Sequence, residues 1–427
     1  MASIQGVYAR EILDSRGWPT LECTVWLDTG VSVSTSVPSG TSVGKYEAKE
    51  LRDNDQSRML GKGVLAAANL INTTISPQLV GRDPLDQHGI DQLLLELDGT
   101  KDKQKLGANT TLAVSQAVCR AGAAVQNQAL YHYIQSRYQL TDYFSIPTCI
   151  YTVVNGGDQG ADNLDIQEFE IIPASHIDYL NSLNMATELF YTLKNVLEIK
   201  GAIHAVGLVG GYTPNLYSNS DVFEILVETI KASKYTFAQD LFFGIDTEAS
   251  ALFEGGKYRL KDKAHGYTAG ELALYYKKLR SLYHVFYIED PFREEDIDDW
   301  QSLVKEMGDT TRVVADTLTA TNPERLAQVI DRQLCNSVLV KPNQVGTISE
   351  TIAFVQLAKQ HNIQTIVSHR SGETCDDFIA DLAVGVGVDY VKFGPPNRGE
   401  RVAKYNRLSQ IYTELQYNAN NNTVEQQ

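Results

Sequence analysis

Six short apolar runs, each stopping at a charged or polar residue, constrain this chain more than any other feature. Phe242–Ile245 stops at Asp246, Val285–Ile288 at Glu289, and Val313–Ala315 at Asp316. Val338–Val340 stops at Lys341, Thr365–Val367 at Ser368-His369-Arg370, and Asp389–Val391 at Lys392. After a first gap of about 40 residues they recur roughly every 25, enough for one crossover helix between parallel strands. The economical closure of that βα rhythm is a parallel (β/α) barrel, whose active site is lined by residues at the C-terminal ends of its strands. A charge also marks where a buried strand reaches water, which accounts for one or two such endings. Six in succession, three acidic and then mostly basic, favour a site.

The first part of the chain has a different grammar. Ile4–Ala9, Thr20–Leu27 and Val31–Val37 read as strands separated by Arg16-Gly17 and Thr29-Gly30. A Gly/Ser-rich loop, residues 38–44, follows, and then helical periodicity near 58–78, 84–96 and 108–136. The expected organisation is therefore an α+β unit over residues 1–136, a barrel over 137–415, and a frayed polar tail over 416–427.

Charge narrows the partners. The chain has 427 residues, with 37 basic against 53 acidic and a net charge of −16. That field opposes nucleic-acid backbones and anionic membranes, so neither is expected as a partner, and an anionic substrate needs its own local positive charge or metal. Cys23, Cys119, Cys149, Cys335 and Cys375 are dispersed, as free thiols of a reducing compartment are. The start Met1–Gln5 shows no secretory pattern, and no apolar run approaches a membrane span, so a cytoplasmic location is expected.

Three carboxylates on successive strands, without clustered His or Cys, suit a hard cation, for which Mg²⁺ is the natural candidate. Lys341, Arg370 and Lys392 stand opposite them, able to hold an anion or take a proton. A metal facing lysines is what proton abstraction next to a carboxylate requires. No dinucleotide fingerprint and no Ser or Cys nucleophile with a His base point to a dehydrogenase or a hydrolase.

The chain resembles the enolase family. The resemblance is carried by Arg10–Gly17, Pro38-Ser39-Gly40, Leu60–Val64, Gln167-Glu168-Phe169, Ile288–Pro291, Ser368–Thr374 and Arg401–Asn406, in order over nearly the whole chain. It implies a (β/α)8-type barrel behind an α+β N-terminal domain, and a lyase of glycolysis interconverting 2-phosphoglycerate and phosphoenolpyruvate with two Mg²⁺ ions. Such a protein is a homodimer or larger homo-oligomer. By the same resemblance Asp246, Glu289 and Asp316 hold the first metal, and Ser39 helps hold the second. Lys341 takes the α-proton, and Arg370 and Ser371 clamp the phosphate. His369 and Lys392 line the substrate, while Gln167 and Glu168 contact it at its hydroxyl end. The loop near Ser39 is expected to close over the site.

Two departures fall on the chemistry. The family reads G-D-E-G-G where this chain reads Gly207-Leu208-Val209-Gly210-Gly211, so Val209 occupies the position of the general acid and Leu208 that of the neighbouring Asp. Gln159 stands where the family has a loop His, and it cannot titrate. A milder change is Thr317, usually a second Asp. Positioned acid catalysis is worth about 10²–10⁴ in rate. Three readings follow: a hydratase, reduced in activity, in which Glu168, Asp158 or water replaces the acid; an enzyme that enolises a different phosphorylated or carboxylate substrate without dehydrating it; or a silent Mg²⁺- and anion-binding scaffold or regulator. Every metal, base and phosphate residue is retained, which favours kept ligand chemistry.

Overall fold

The computed structural model describes residues 2–41, 44–261 and 263–424, with side chains through Asn418. Ser42 and Val43 of the loop over residues 38–44 lie outside the described residues, as do the last three residues of the expected tail. The rest of that tail continues the helix Gly399–Val424.

The chain opens with an antiparallel sheet of β1 (Ile4–Leu13), β2 (Pro19–Leu27) and β3 (Ser32–Ser36), paired in that order. Leu21, Cys23 and Val25 of β2 alternate inward, as strand geometry demands, toward the helix Ala108–Val125. The small residues of that helix let its neighbours approach on nearly every side. The periodicity over 108–136 resolves into two helices, Ala108–Val125 and Leu130–Tyr138, because Asn127 between them takes a left-handed φ of 50°. Asn72 donates to the Ala9 carbonyl (3.0 Å) and accepts from the Ala9 amide (2.7 Å), satisfying the outer edge of β1.

Eight strands then close into a barrel: β4 (Thr148–Asn155), β5 (Glu168–Pro173), β6 (Leu241–Asp246), β9 (Val285–Glu289), β10 (Arg312–Ala315), β11 (Ser337–Val340), β12 (Gln364–Ser368) and β13 (Tyr390–Lys392). The short pair β7 (Phe253–Glu254) and β8 (Lys257–Tyr258) forms a separate hairpin. The six expected strand ends are present, but the barrel is not all-parallel. β5 runs antiparallel to both β4 and β6, so its first residue, Glu168, lies at the end of the barrel where the other strands finish, opposite Asp246.

Side chains two apart on a strand share a face. Tyr287, Val314, Leu339 and Ile366 pack with Ile150 and Ile172 into a small core apart from the main one. Two residues further along the same four strands come Glu289, Asp316, Lys341 and Ser368. The polar layer is thus the next storey above an apolar plug. Gly244 makes room in it, since a Cβ there would meet the Glu170 carboxylate at 2.6 Å. Among the described residues no helix is long and apolar enough to cross a membrane, and all five cysteines are free thiols, four buried and Cys375 exposed.

Candidate active site

One cavity gathers most of the residues singled out from the sequence. Gln159, Gln167, Glu168, Val209, Asp246, Asp316, Lys341, His369, Arg370, Ser371 and Lys392 all line it, and the space left among them is about 60 Å³. Glu289 lies just beneath, with 1% of its surface exposed.

Its ionic groups are paired, with acids outnumbering lysines. The Lys392 ammonium donates to Glu289 (2.6 Å) and Asp246 (3.5 Å), and stands 3.3 Å from Glu168 and 3.5 Å from Glu170. Lys341 donates to Asp316, whose other oxygen accepts from Gln344 at 2.9 Å. Burial opposes the charge on Asp316, but Lys341 outweighs it and holds that carboxyl below its ordinary range. Burial, together with the charge of Asp246, pushes Glu289 well above the carboxylate range. Glu168 is raised for the same two reasons, although Lys392 opposes them.

Lys341 feels opposing charges. Burial, Arg370 and Lys392 lower its pKa, as a base requires, yet Asp316 and Glu289 overcome them and the net direction is upward. The excess of buried carboxylate explains this. An arrangement with so many acids calls for positive charge beyond two lysines, and its donors are all hard oxygens, the set that suits Mg²⁺. Among the described residues, with the ammonium groups in these positions, no three metal-ligating side chains converge on one point.

Ser39 stands apart from the carboxylates. Its amide donates to the Gly372 carbonyl (2.8 Å), and its hydroxyl accepts from Arg16 (2.5 Å) and donates to Asp14 (3.3 Å). The loop is nevertheless latched to the site, because the Thr41 amide donates to the Ser371 hydroxyl at 2.8 Å.

His369 is neutral: burial, then Arg401, Lys392 and Lys341, push its pKa well below the usual value. Arg401 donates to its Nδ1 at 2.7 Å, so the ring proton sits on Nε2. The close fit needs Gly394, whose φ of +87° and 2.9 Å approach of a Cβ to the imidazole both exclude a side chain. Arg401 and Lys404, wholly buried, also donate to the carbonyls of Arg370, Ser371 and Thr374, which is why Arg401–Asn406 belongs to the motif. Arg370 donates to Glu47 (2.8 Å) and Asn343 (3.2 Å).

At the end where the resemblance leads one to expect the leaving hydroxyl, Val209 is 1% exposed and lines the cavity with an apolar side chain. Gln159 accepts from Asn155 (3.3 Å), and the Leu208 amide donates to the Gln159 carbonyl (3.1 Å), which joins the two departing loops. Thr317 donates both its amide (3.0 Å) and its hydroxyl (2.7 Å) to Asp290, a carboxyl that burial and Asp316 push up to about 7.

Glu47, Asp290, Gln344, Glu170 and Glu248 are site residues missed from the sequence. Asp290 sits inside a quoted motif, and Glu170 interrupts an apolar run, so both left a signal. Glu47 and Glu248 lie on irregular backbone and left none; Glu248 lines the cavity from a left-handed turn with φ of 44°.

A family model described as "Enolase, N-terminal domain" matches residues 4–134, and one described as "Enolase, C-terminal TIM barrel domain" matches residues 143–427. The protein named Enolase from Ehrlichia canis (strain Jake) is 42% identical over 417 residues, covering 98% of each chain. With the barrel, its reversed second strand and these matches over nearly the whole length, the chain belongs to the enolase family.

Proposed function

We propose that this chain is a Mg²⁺-dependent phosphopyruvate hydratase, interconverting 2-phosphoglycerate and phosphoenolpyruvate in cytoplasmic glycolysis as a homodimer or larger homo-oligomer. The division at residues 136/137 is part of the same reading. The observation that carries it is the convergence of Lys341, Glu168, Lys392 and the buried carboxylates on one cavity. Asp246, Glu289 and Asp316 would hold one Mg²⁺ and Ser39 would help hold a second; bound there, the metal supplies the positive charge that stabilises a doubly anionic enolised carboxylate. Lys341 Nζ takes the α-proton, with Lys392 and Arg370 beside it opposing its own charge. His369 Nε2–H donates to substrate oxygen, and Arg370 and Ser371 bind phosphate. Glu168, buried and raised in pKa at the same cavity, is the carboxyl best placed to protonate the departing hydroxyl. Burial keeps water from those transfers.

Val209 favours a second reading, in which the α-proton is removed but the hydroxyl is retained, because an isopropyl group lines the leaving-group end. Incubating the purified protein with 2-phosphoglycerate and Mg²⁺ tests both. Phosphoenolpyruvate absorbance that appears with the native chain and vanishes in Lys341→Ala supports the hydratase. Exchange of the α-proton into deuterated water without phosphoenolpyruvate supports the second reading. Neither signal would leave only a binding scaffold and sink both.

A further inference from the structure

Gly40 and Thr41, which edge the catalytic cavity, also edge a larger one of about 390 Å³. Its other walls are Arg16, Trp18, Lys49, Arg52, Lys62 and Leu208, with Glu50 the single acid. Four cations around one carboxylate reverse the sign of a chain whose net charge is −16, and a concave cleft of one sign concentrates counter-ions. Its volume is that of a small-ligand pocket.

The cations divide into two kinds. Arg52 is spent on structure, donating to the carbonyls of Pro19 (2.6 Å) and Lys62 (2.9 Å) and to Glu50 (2.5 Å). Arg16 is likewise committed to Asp14 (2.7 Å), Ser39 (2.5 Å) and Thr41 (2.7 Å). Lys49 and Lys62 have no carboxylate partner among the described residues. Lys62 rests over the Trp18 ring, 4.1 Å from its centroid. A framework of fixed guanidiniums thus presents two uncommitted ammonium groups. Leu208 completes the effect, since the enolase pattern has an Asp at this position, which would have set a negative charge on the rim.

We propose that this cleft is a second anion site, taking phosphate, pyrophosphate or a phosphate monoester, beside the catalytic cavity and distinct from it. Arg16 links the two. It holds Ser39 and Thr41, and Thr41 holds Ser371, so an anion that draws on Arg16 is felt at the loop and at the expected phosphate clamp. The anion is either the far end of a substrate longer than a three-carbon acid or a free effector; the contacts required are the same.

The test is calorimetric titration of the full chain with inorganic pyrophosphate in metal-free buffer, with tryptophan fluorescence followed in parallel. Lys49→Ala/Lys62→Ala removes exposed side chains, and its unchanged melting temperature checks that it folds. Saturable binding by the native chain, weakened about tenfold or more in that double variant, with the fluorescence change lost but the heat kept in Trp18→Phe, sustains the site. No saturable heat, or equal affinity in native and double variant, overturns it. Neither readout depends on turnover, so failure here is separate from failure of the hydratase reading. Where turnover is measurable, inhibition through KM alone assigns the cleft to the far end of a substrate, and inhibition through kcat to an effector.

Discussion

The strand ends and the two loops above them are built on different rules. Glu289, Asp316 and Lys392, buried, and Lys341, part-buried, stand on the barrel and are paired charge to charge. Val209 and Gln159 lie on loops held by the main chain: Leu208 amide to Gln159 carbonyl, Gly207 amide to Gly211 carbonyl (2.7 Å), and Gly211 amide to the Asn155 side chain (2.8 Å). Replacing a residue of the first kind strands a buried charge, whereas replacing the side chain at 209 leaves every one of those loop bonds in place. On the proposed reading, substrate-holding chemistry is therefore welded to the fold, while delivery of the proton to the leaving group is exchangeable. The departures from the family pattern fall on the exchangeable side, apart from Thr317, which supplies its own hydrogen bonds to Asp290.

The sharpest test of that contrast is Val209→Glu. Restoring a carboxyl at the leaving-group end is expected to raise phosphoenolpyruvate formation about 10²–10⁴-fold while α-proton exchange stays constant. If exchange rises in step, the two regions are not separable. On the welded side, Glu47→Ala removes one buried carboxylate that Arg370 bonds to, both side chains being 6% exposed. A loss of about 3–5 kcal/mol in denaturant unfolding is expected, with a raised KM for 2-phosphoglycerate; an unchanged midpoint would show that the pair is not structural.

The smallest expected effect concerns Glu170, which burial pushes up from 4.5 to about 8. The folded state then binds a proton that the unfolded chain has released, so the stabilisation is complete below about pH 4.5 and is lost as pH rises through about 8. The native protein is expected to lose on the order of a few kcal/mol across that window, seen as a falling melting temperature, and Glu170→Gln to flatten the slope. Parallel slopes in the two proteins would remove Glu170 as the titrating group.

Much of this arrangement was legible in the sequence. A strand that is apolar until its last inward residue announces both a barrel and a site, and Asp246, Glu289, Asp316, Lys341 and Lys392 were readable for that reason. β4 was hidden because its run ends in Asn155 without a charge. β5 was hidden because it runs backwards, with its site residue Glu168 first and Glu170 breaking the apolar pattern. Glu47 and Glu248 belong to loops, where no period ties a side chain to a face. Ser39 was matched by motif, but a motif does not show that its hydroxyl is already engaged by Arg16 and Asp14.

The reversed β5 has a consequence for how the molecule can change. β5 ends beside the start of β6, with Pro173 opposite Leu241, yet the chain does not join them directly but inserts the helices Tyr179–Ile199 and Asn219–Lys231 between them. The turn between them passes over the reactive mouth and carries Val209 there. This passage touches the barrel ladder through the main chain of Tyr212, bonded to Val153 and Asn155 of β4, and not through the side chain at 209. The fold thereby owns one visit to its reaction chamber that mutation can rewrite without loosening the walls.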